Sequence, residues 1–221
     1  MNLGTVLGHL VASARLTDAL VRIGRRYVEF FFLYPIVNKR LGEINSLAMF
    51  AGKVFGERTR TFSAVSWSTQ KAPGFAVKAN GYRDPMCWET PAGIIIHLAG
   101  KPALAMGVEL HGSTLCVRQL QGVAGIRLNK NLQDWPKLFI LACVEFAQVF
   151  GIKRVRIYRA NQGLFYHFPA NIVKRDGETL CEALQAYRQR MRRRYDGTAR
   201  QLHFNMKRRY GEWTNPNHAR P

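Results

Sequence analysis

Two stretches of this 221-residue chain carry residues whose types and spacing could do chemistry. The first is "VRQLQGVAGIRL" (117–128), where Gln119, Gln121, Gly122 and Gly125 close a strand-like run with a glycine-bearing turn. Backbone N–H groups in such a turn can cradle a ligand's phosphates, and the same glycines can equally do no more than reverse the chain. The second stretch is 187–209, where Arg188, Arg190, Arg192, Arg193, Arg194, Arg200, Lys207, Arg208 and Arg209 interleave with Tyr187, Tyr195 and one acid, Asp196. Arginine forks hold phosphates bidentately, and tyrosine rings could stack on unpaired bases. A solvated basic helix is the plainer alternative. Metal chemistry is not expected: the six histidines (9, 97, 111, 167, 203 and 218) are scattered and form no His-Glu-x-x-His pair. His97, inside an apolar run, reads as a core histidine.

Charge and cysteine usage bound the partners and the compartment. The net charge of +19 calls for a polyanionic partner, whether nucleic acid, an anionic membrane surface or a phosphorylated cofactor. The four cysteines (87, 116, 143 and 181) lie far apart with no Cys-x-x-Cys pair, so free thiols in a reducing cytoplasm are expected. Arg15, Asp18, Arg22 and Arg25 interrupt every apolar run near the N-terminus, and "YVEFFFLYPIV" (27–37) contains Glu29 and Pro35. Neither a secretory signal nor a transmembrane segment is therefore expected, and the protein reads as cytoplasmic, soluble or membrane-peripheral.

The periodicity then predicts the elements that must position these residues. Helical spacing runs over 5–34 and again over 38–58, giving an N-terminal helical segment, 1–59, packed on the core. Its basic face beside an apolar one could instead lie on an anionic bilayer. From residue 60 the period becomes two. "RTFSAVSWS", "GFAVKANGY" with its Asn80-Gly81 turn, and three strands in "AGIIIHLAGKPALAMGVELHGSTLCVRQLQG" predict an antiparallel meander of five strands. "DWPKLFILACVEFAQVFG" (134–151) predicts a helix with Asp134 at its N-cap, Pro136 in the first turn and Gly151 past its end. "IKRVRIYRA" (152–160) returns to strand, so 115–160 forms a strand–helix–strand crossover with its strands parallel and adjacent. A basic helix over 177–197, a short apolar stretch around "QLHFNM" and a polar tail complete the chain. The fold class is α+β: a mixed, mostly antiparallel sheet in a 60–175 core, with helical extensions at both ends, the C-terminal one being 176–221.

The order of strand, glycine turn and crossover helix resembles the acyl-CoA N-acyltransferase (GNAT) superfamily over roughly residues 90 to 170. There a Gln/Arg-x-x-Gly-x-Gly/Ala loop holds the CoA pyrophosphate, and Gln119, Gly122 and Ala124 match that spacing. A spacer, "IRLNKNLQD", separates the loop from the helix here, whereas in that superfamily the helix begins at the loop. The chain also resembles the bacterial VirK/YbjX family over about residues 90 to 197. The shared features are Leu120-Gln121-Gly122 at a strand end, the spacer, the apolar helix, "GIKRVRIYRANQ" and the basic "YRQRMRRRYDG". That family is linked broadly to bacterial envelope and virulence phenotypes.

These resemblances imply a GNAT-like acyltransferase moving an acyl group from acyl-CoA or an acyl carrier protein to an acceptor in an envelope-related process. Gln119, Gln121, Gly122, Ala124, Gly125 and Asn161 would then contact the cofactor. The reaction needs a base for the attacking amine and an acid for the departing thiolate. Glu109 is the leading base, because its neighbours in "MGVELHG" are apolar and burial there would raise its pKa. Tyr158 and Tyr166 are the candidate acids. In the alternative reading, the chain is a non-enzymatic basic module that grips nucleic acid or an anionic membrane surface through Arg188, Arg192, Arg193 and Arg194.

Overall fold

The computed structural model describes residues 41–59, 65–71, 90, 92–123, 128, 130–167 and 176–218. The helix expected over 5–34, the strand "GFAVKANGY" with its Asn80-Gly81 turn, and Ala124 and Gly125 lie outside the described residues.

Strands β1 (Val65–Lys71), β2 (Ala92–Leu98), β3 (Lys101–His111) and β4 (Thr114–Gly122) pair in succession as an antiparallel meander. The chain reverses at Ala99-Gly100 and at Gly112-Ser113. Helix α1 (Leu41–Thr59) precedes the meander. Helix α2 (Trp135–Val149) then leads to β5 (Arg154–Tyr158), which lies parallel to β4. Asp134 stands at the N-cap of α2 but makes no side-chain cap bond. The crossover over 115–160 is therefore present, and the fold is α+β with a mixed sheet.

One face of the sheet carries the core. Ile94, Ile96, Leu104, Met106, Val108, Leu110, Leu115, Val117, Val155 and Ile157 alternate into it along their strands. Helices α1 and α2 both cover that face, with Leu47, Ala51 and Phe55 from one and Leu138, Phe139, Ala142, Cys143 and Phe146 from the other. Those positions recur every three or four residues, the stripe a packed helix needs. The Phe55 and Phe139 rings meet edge-to-face at 4.8 Å, and burying each contributes about 1.5–3 kcal/mol.

The C-terminal region departs from the sequence expectation. The predicted helix over 177–197 begins at α3 (Leu180–Arg192), fixed by a capping box in which Glu182 N donates to Thr179 Oγ1 and Thr179 N to Glu182 Oε2. Its last residues, Arg193–Gly197, widen into a π-helical turn, followed by a helical turn at Thr198–Gln201. The stretch read as an apolar patch and a polar tail forms a hairpin, β6 (Asn205–Met206) and β7 (Tyr210–Thr214). β7 pairs antiparallel with β5, and the seven strands lie in the order β1-β2-β3-β4-β5-β7-β6. The alternation of "YGEWT" is hard to see because its one buried position is Gly211. A Cβ there would lie 2.9 Å from the Cβ of Ala199. The tail is also tied down: fully buried Asn215 donates through Nδ2 to Ala147 O at 3.0 Å and Ile152 O at 3.1 Å, holding the end of α2.

No helix among the described residues is long and apolar enough to cross a membrane. The same residues contain no group of three or more His, Cys, Asp or Glu side chains able to hold a metal ion.

Candidate functional site

The face of the sheet away from α2 is polar across its centre. Alternation sends Glu109 and His111 of β3, Cys116 and Arg118 of β4, Arg156 and Tyr158 of β5, and Tyr210 and Glu212 of β7 to that side. The register aligns Glu109, Cys116, Arg156 and Glu212 in one row across the four strands. Glu109 is buried, and its Oε2 accepts from Arg118 Nε and lies 3.0 Å from His111 Nε2. The Arg118 guanidinium sits 3.9 Å from the centre of the Tyr158 ring. Burial works to lower the pKa of Arg118, but attraction to Glu109 and Tyr158 and the bond to Glu109 raise it overall. Arg156 repeats the pattern more openly, bonding Glu212 at 2.6 Å and lying 4.5 Å from the Tyr210 ring centre. Between these pairs, burial and the neighbouring Glu109 push the Cys116 thiol up to about 12, which leaves it protonated and inert.

Beside this row the pairing of β4 with β5 stops, which leaves an opening in the ladder of the sheet. β4 and β5 pair only from Thr114↔Arg154 to Val117↔Ile157, yet β4 runs on to Gly122 while β5 ends at Tyr158. A bulge marks the parting. The β3–β4 register jumps between Gly107↔Gln119 and Val108↔Val117, which makes Arg118 the extra residue. Past that point the Leu120 peptide is met by side chains of the π-helical turn. Leu120 N donates to Tyr195 Oη at 2.7 Å, and Arg194 Nη1 donates to Leu120 O at 3.2 Å. The next residue binds the other side of the opening. Asp196 Oδ1 accepts from Ala160 N at 3.1 Å, and its Oδ2 accepts from Arg159 Nη2 at 3.1 Å. Three consecutive residues of the widened turn thus bridge the end of β4 and the residues that follow β5. π turns of this kind recur at functional positions.

Arg194 also lies 5.0 Å from the Trp135 ring centre at the start of α2. Its pKa is lowered, chiefly by burial. Nearby, buried Gln119 donates through Nε2 to Gln121 Oε1 at 2.8 Å. Gly122 ends β4 against the core, where a Cβ would be 3.7 Å from Trp135 and 3.9 Å from Leu104.

The candidate residues divide into separate groups. Glu109 and Tyr158 belong to the polar row, joined through Arg118. Gln119, Gln121 and Gly122 lie on the end of β4 that has no β5 neighbour. Asn161 is exposed in the turn after β5, where its side chain accepts from Gln162 at 3.3 Å. Tyr166 is buried away from the row, with Arg188 and Arg192 each 5.7 Å from its ring centre. Arg192 and Arg193 are exposed, whereas Arg194 is half-buried and turned into the opening. Tyr195, read from the sequence as a base-stacking ring among exposed cations, is instead buried in the core. Sequence reasoning missed Arg118 and the inward-facing Arg194-Tyr195-Asp196 turn. The signal for Arg118 was its place beside Cys116 on a strand whose other face is apolar. "RRRYDG" offers no signal for which of its residues faces inward.

No protein-family model matches the chain, and no curated protein is similar enough to match it.

Proposed function

We propose that the protein is a GNAT-like acyltransferase of VirK/YbjX type that takes its acyl group from a phosphopantetheine thioester. The observation that carries this reading is that β4 runs on to Gly122 beyond its last pair with β5, Val117↔Ile157, so that the Leu120 N–H and C=O are bonded by side chains instead of by β5. In the superfamily a V-shaped opening between such strands admits the pantetheine arm. Amides of an extended arm can take the same N–H and C=O that Tyr195 and Arg194 occupy, as an added strand would.

The chemistry draws on the polar row beside the opening as well as on the residues at the end of β4. An acceptor amine attacks the thioester carbonyl, a C–N bond forms and the C–S bond breaks. Glu109, held by Arg118 and His111, receives the proton lost by the amine. Tyr158, on the last residue of β5, supplies a proton to the departing thiolate. Gln119, Gln121 and Gly122, with Ala124, Gly125 and Asn161, are assigned to the donor arm and its phosphates, and Arg194 adds a cation beside them.

Calorimetry with CoA and several acyl-CoAs, paired with the amide NMR signal of Leu120, tests the reading. Binding that shifts the Leu120 amide supports it. If neither CoA, any acyl-CoA nor an acyl carrier protein binds, or if binding leaves that amide unmoved, the donor site is not here.

A further inference from the structure

The helical turn whose side chains bond Leu120 also presents an exposed cationic surface. Within 186–210 the sole acid is Asp196, and it is buried with both oxygens bonded to Ala160 and Arg159. Around it Arg190, Arg192, Arg193 and Arg200 are all exposed. Arg190 and Arg193 are three residues apart and share a helix face, and Arg190 to Arg200 spans roughly 10–15 Å of axis, the π turn rising less per residue than an α-helix. That length suits an extended acidic face better than a single phosphate group. Arg193 directly precedes Arg194 and Tyr195, so this surface lies at the outer rim of the opening.

We propose that the donor is an acidic carrier protein, docked on Arg190, Arg193 and Arg200, whose phosphate-linked arm enters where β4 runs past the end of β5. This rests on the acyl-transfer reading and names its partner. The physical argument is charge complementarity placed next to the break in the β4–β5 ladder, which steers association and fixes register. A nucleic acid fits less well. Tyr195 would be the stacking platform on this turn, and its ring is buried.

The test uses the full chain and the Arg190→Ala/Arg193→Ala variant, which alters exposed side chains only. Four probes are titrated by calorimetry at several salt concentrations: CoA, a single-stranded oligonucleotide, apo acyl carrier protein without its arm, and the holo form. The holo carrier should bind more tightly than the apo form, with affinity falling as salt rises. The double variant should weaken both carrier forms by about fivefold or more and leave CoA unchanged. The proposal is overturned if the variant weakens CoA as much as the carrier, or if CoA binds and the carrier does not. Tighter binding of a single-stranded oligonucleotide than of the carrier overturns it as well. Failure of the acyl-transfer reading looks different. Apo and holo carriers then bind equally, and neither moves the Leu120 amide, while the variant still weakens both.

Discussion

Tyr195 lies 75 residues beyond Leu120, yet its hydroxyl accepts the Leu120 N–H at 2.7 Å, on the stretch of β4 that has lost β5 as a neighbour. The tyrosine does there what a strand would do, satisfying a backbone group that would otherwise be buried without a partner.

Replacing that hydroxyl should therefore be costly beyond its size. Tyr195→Phe keeps the ring but leaves the Leu120 N–H short of its acceptor, at an expected cost of roughly 1–3 kcal/mol. Urea unfolding should show a lower midpoint at unchanged slope, and hydrogen exchange at Leu120 should accelerate. An unchanged exchange rate at Leu120 would show that the hydroxyl does not hold that peptide.

The Glu109–Arg118 pair makes a second prediction. Glu109→Leu strands a buried guanidinium and should destabilise by about 3–5 kcal/mol. Adding Arg118→Met should restore much of the loss, so the double variant falls well short of the sum of the singles. Strict additivity in this cycle would mean that the two charges do not support each other.

Asn215 tests how firmly the tail closes the fold. Asn215→Ala removes both donors from the Ala147 and Ile152 carbonyls, and should cost roughly 1–3 kcal/mol by thermal or urea unfolding. A change within error would make the asparagine a bystander.

The cysteines give a pH signature. Burial and Glu109 raise the Cys116 thiol from 9.0 to about 12, and burial alone raises Cys143. Above about pH 9 the unfolded thiol ionises while the folded one stays protonated, so the unfolded state binds fewer protons and stability falls as pH rises toward 12. The urea midpoint should drop between about pH 7 and pH 10, and by less in Cys116→Ala. Among the described cysteines, only exposed Cys181 should react with iodoacetamide in the native protein.

Much of the fold was legible in the chain. β2, β3 and β4 announced themselves by period-two runs between glycine turns, and α2 by its apolar stripe between Asp134 and Gly151. The parallel pairing of β4 with β5 followed from the helix between them. β7 was not legible, because Gly211 replaces the large apolar residue that would have marked its buried face. The capping box at Thr179 and Glu182 was readable but lay two residues inside the expected helix start.

At the candidate site the division is sharper. The sequence by itself determined the cationic balance, the strand carrying Glu109 and the glycine that ends β4, since composition and period are local properties. Only the tertiary structure decided that Arg118 meets Glu109, that Arg194 and Tyr195 turn inward while Arg192 and Arg193 face out, and that Asp196 spans to Ala160. Those outcomes depend on where β4 and β5 part. That point is set by a bulge and by packing between segments dozens of residues apart, for which one residue's identity carries no local signature.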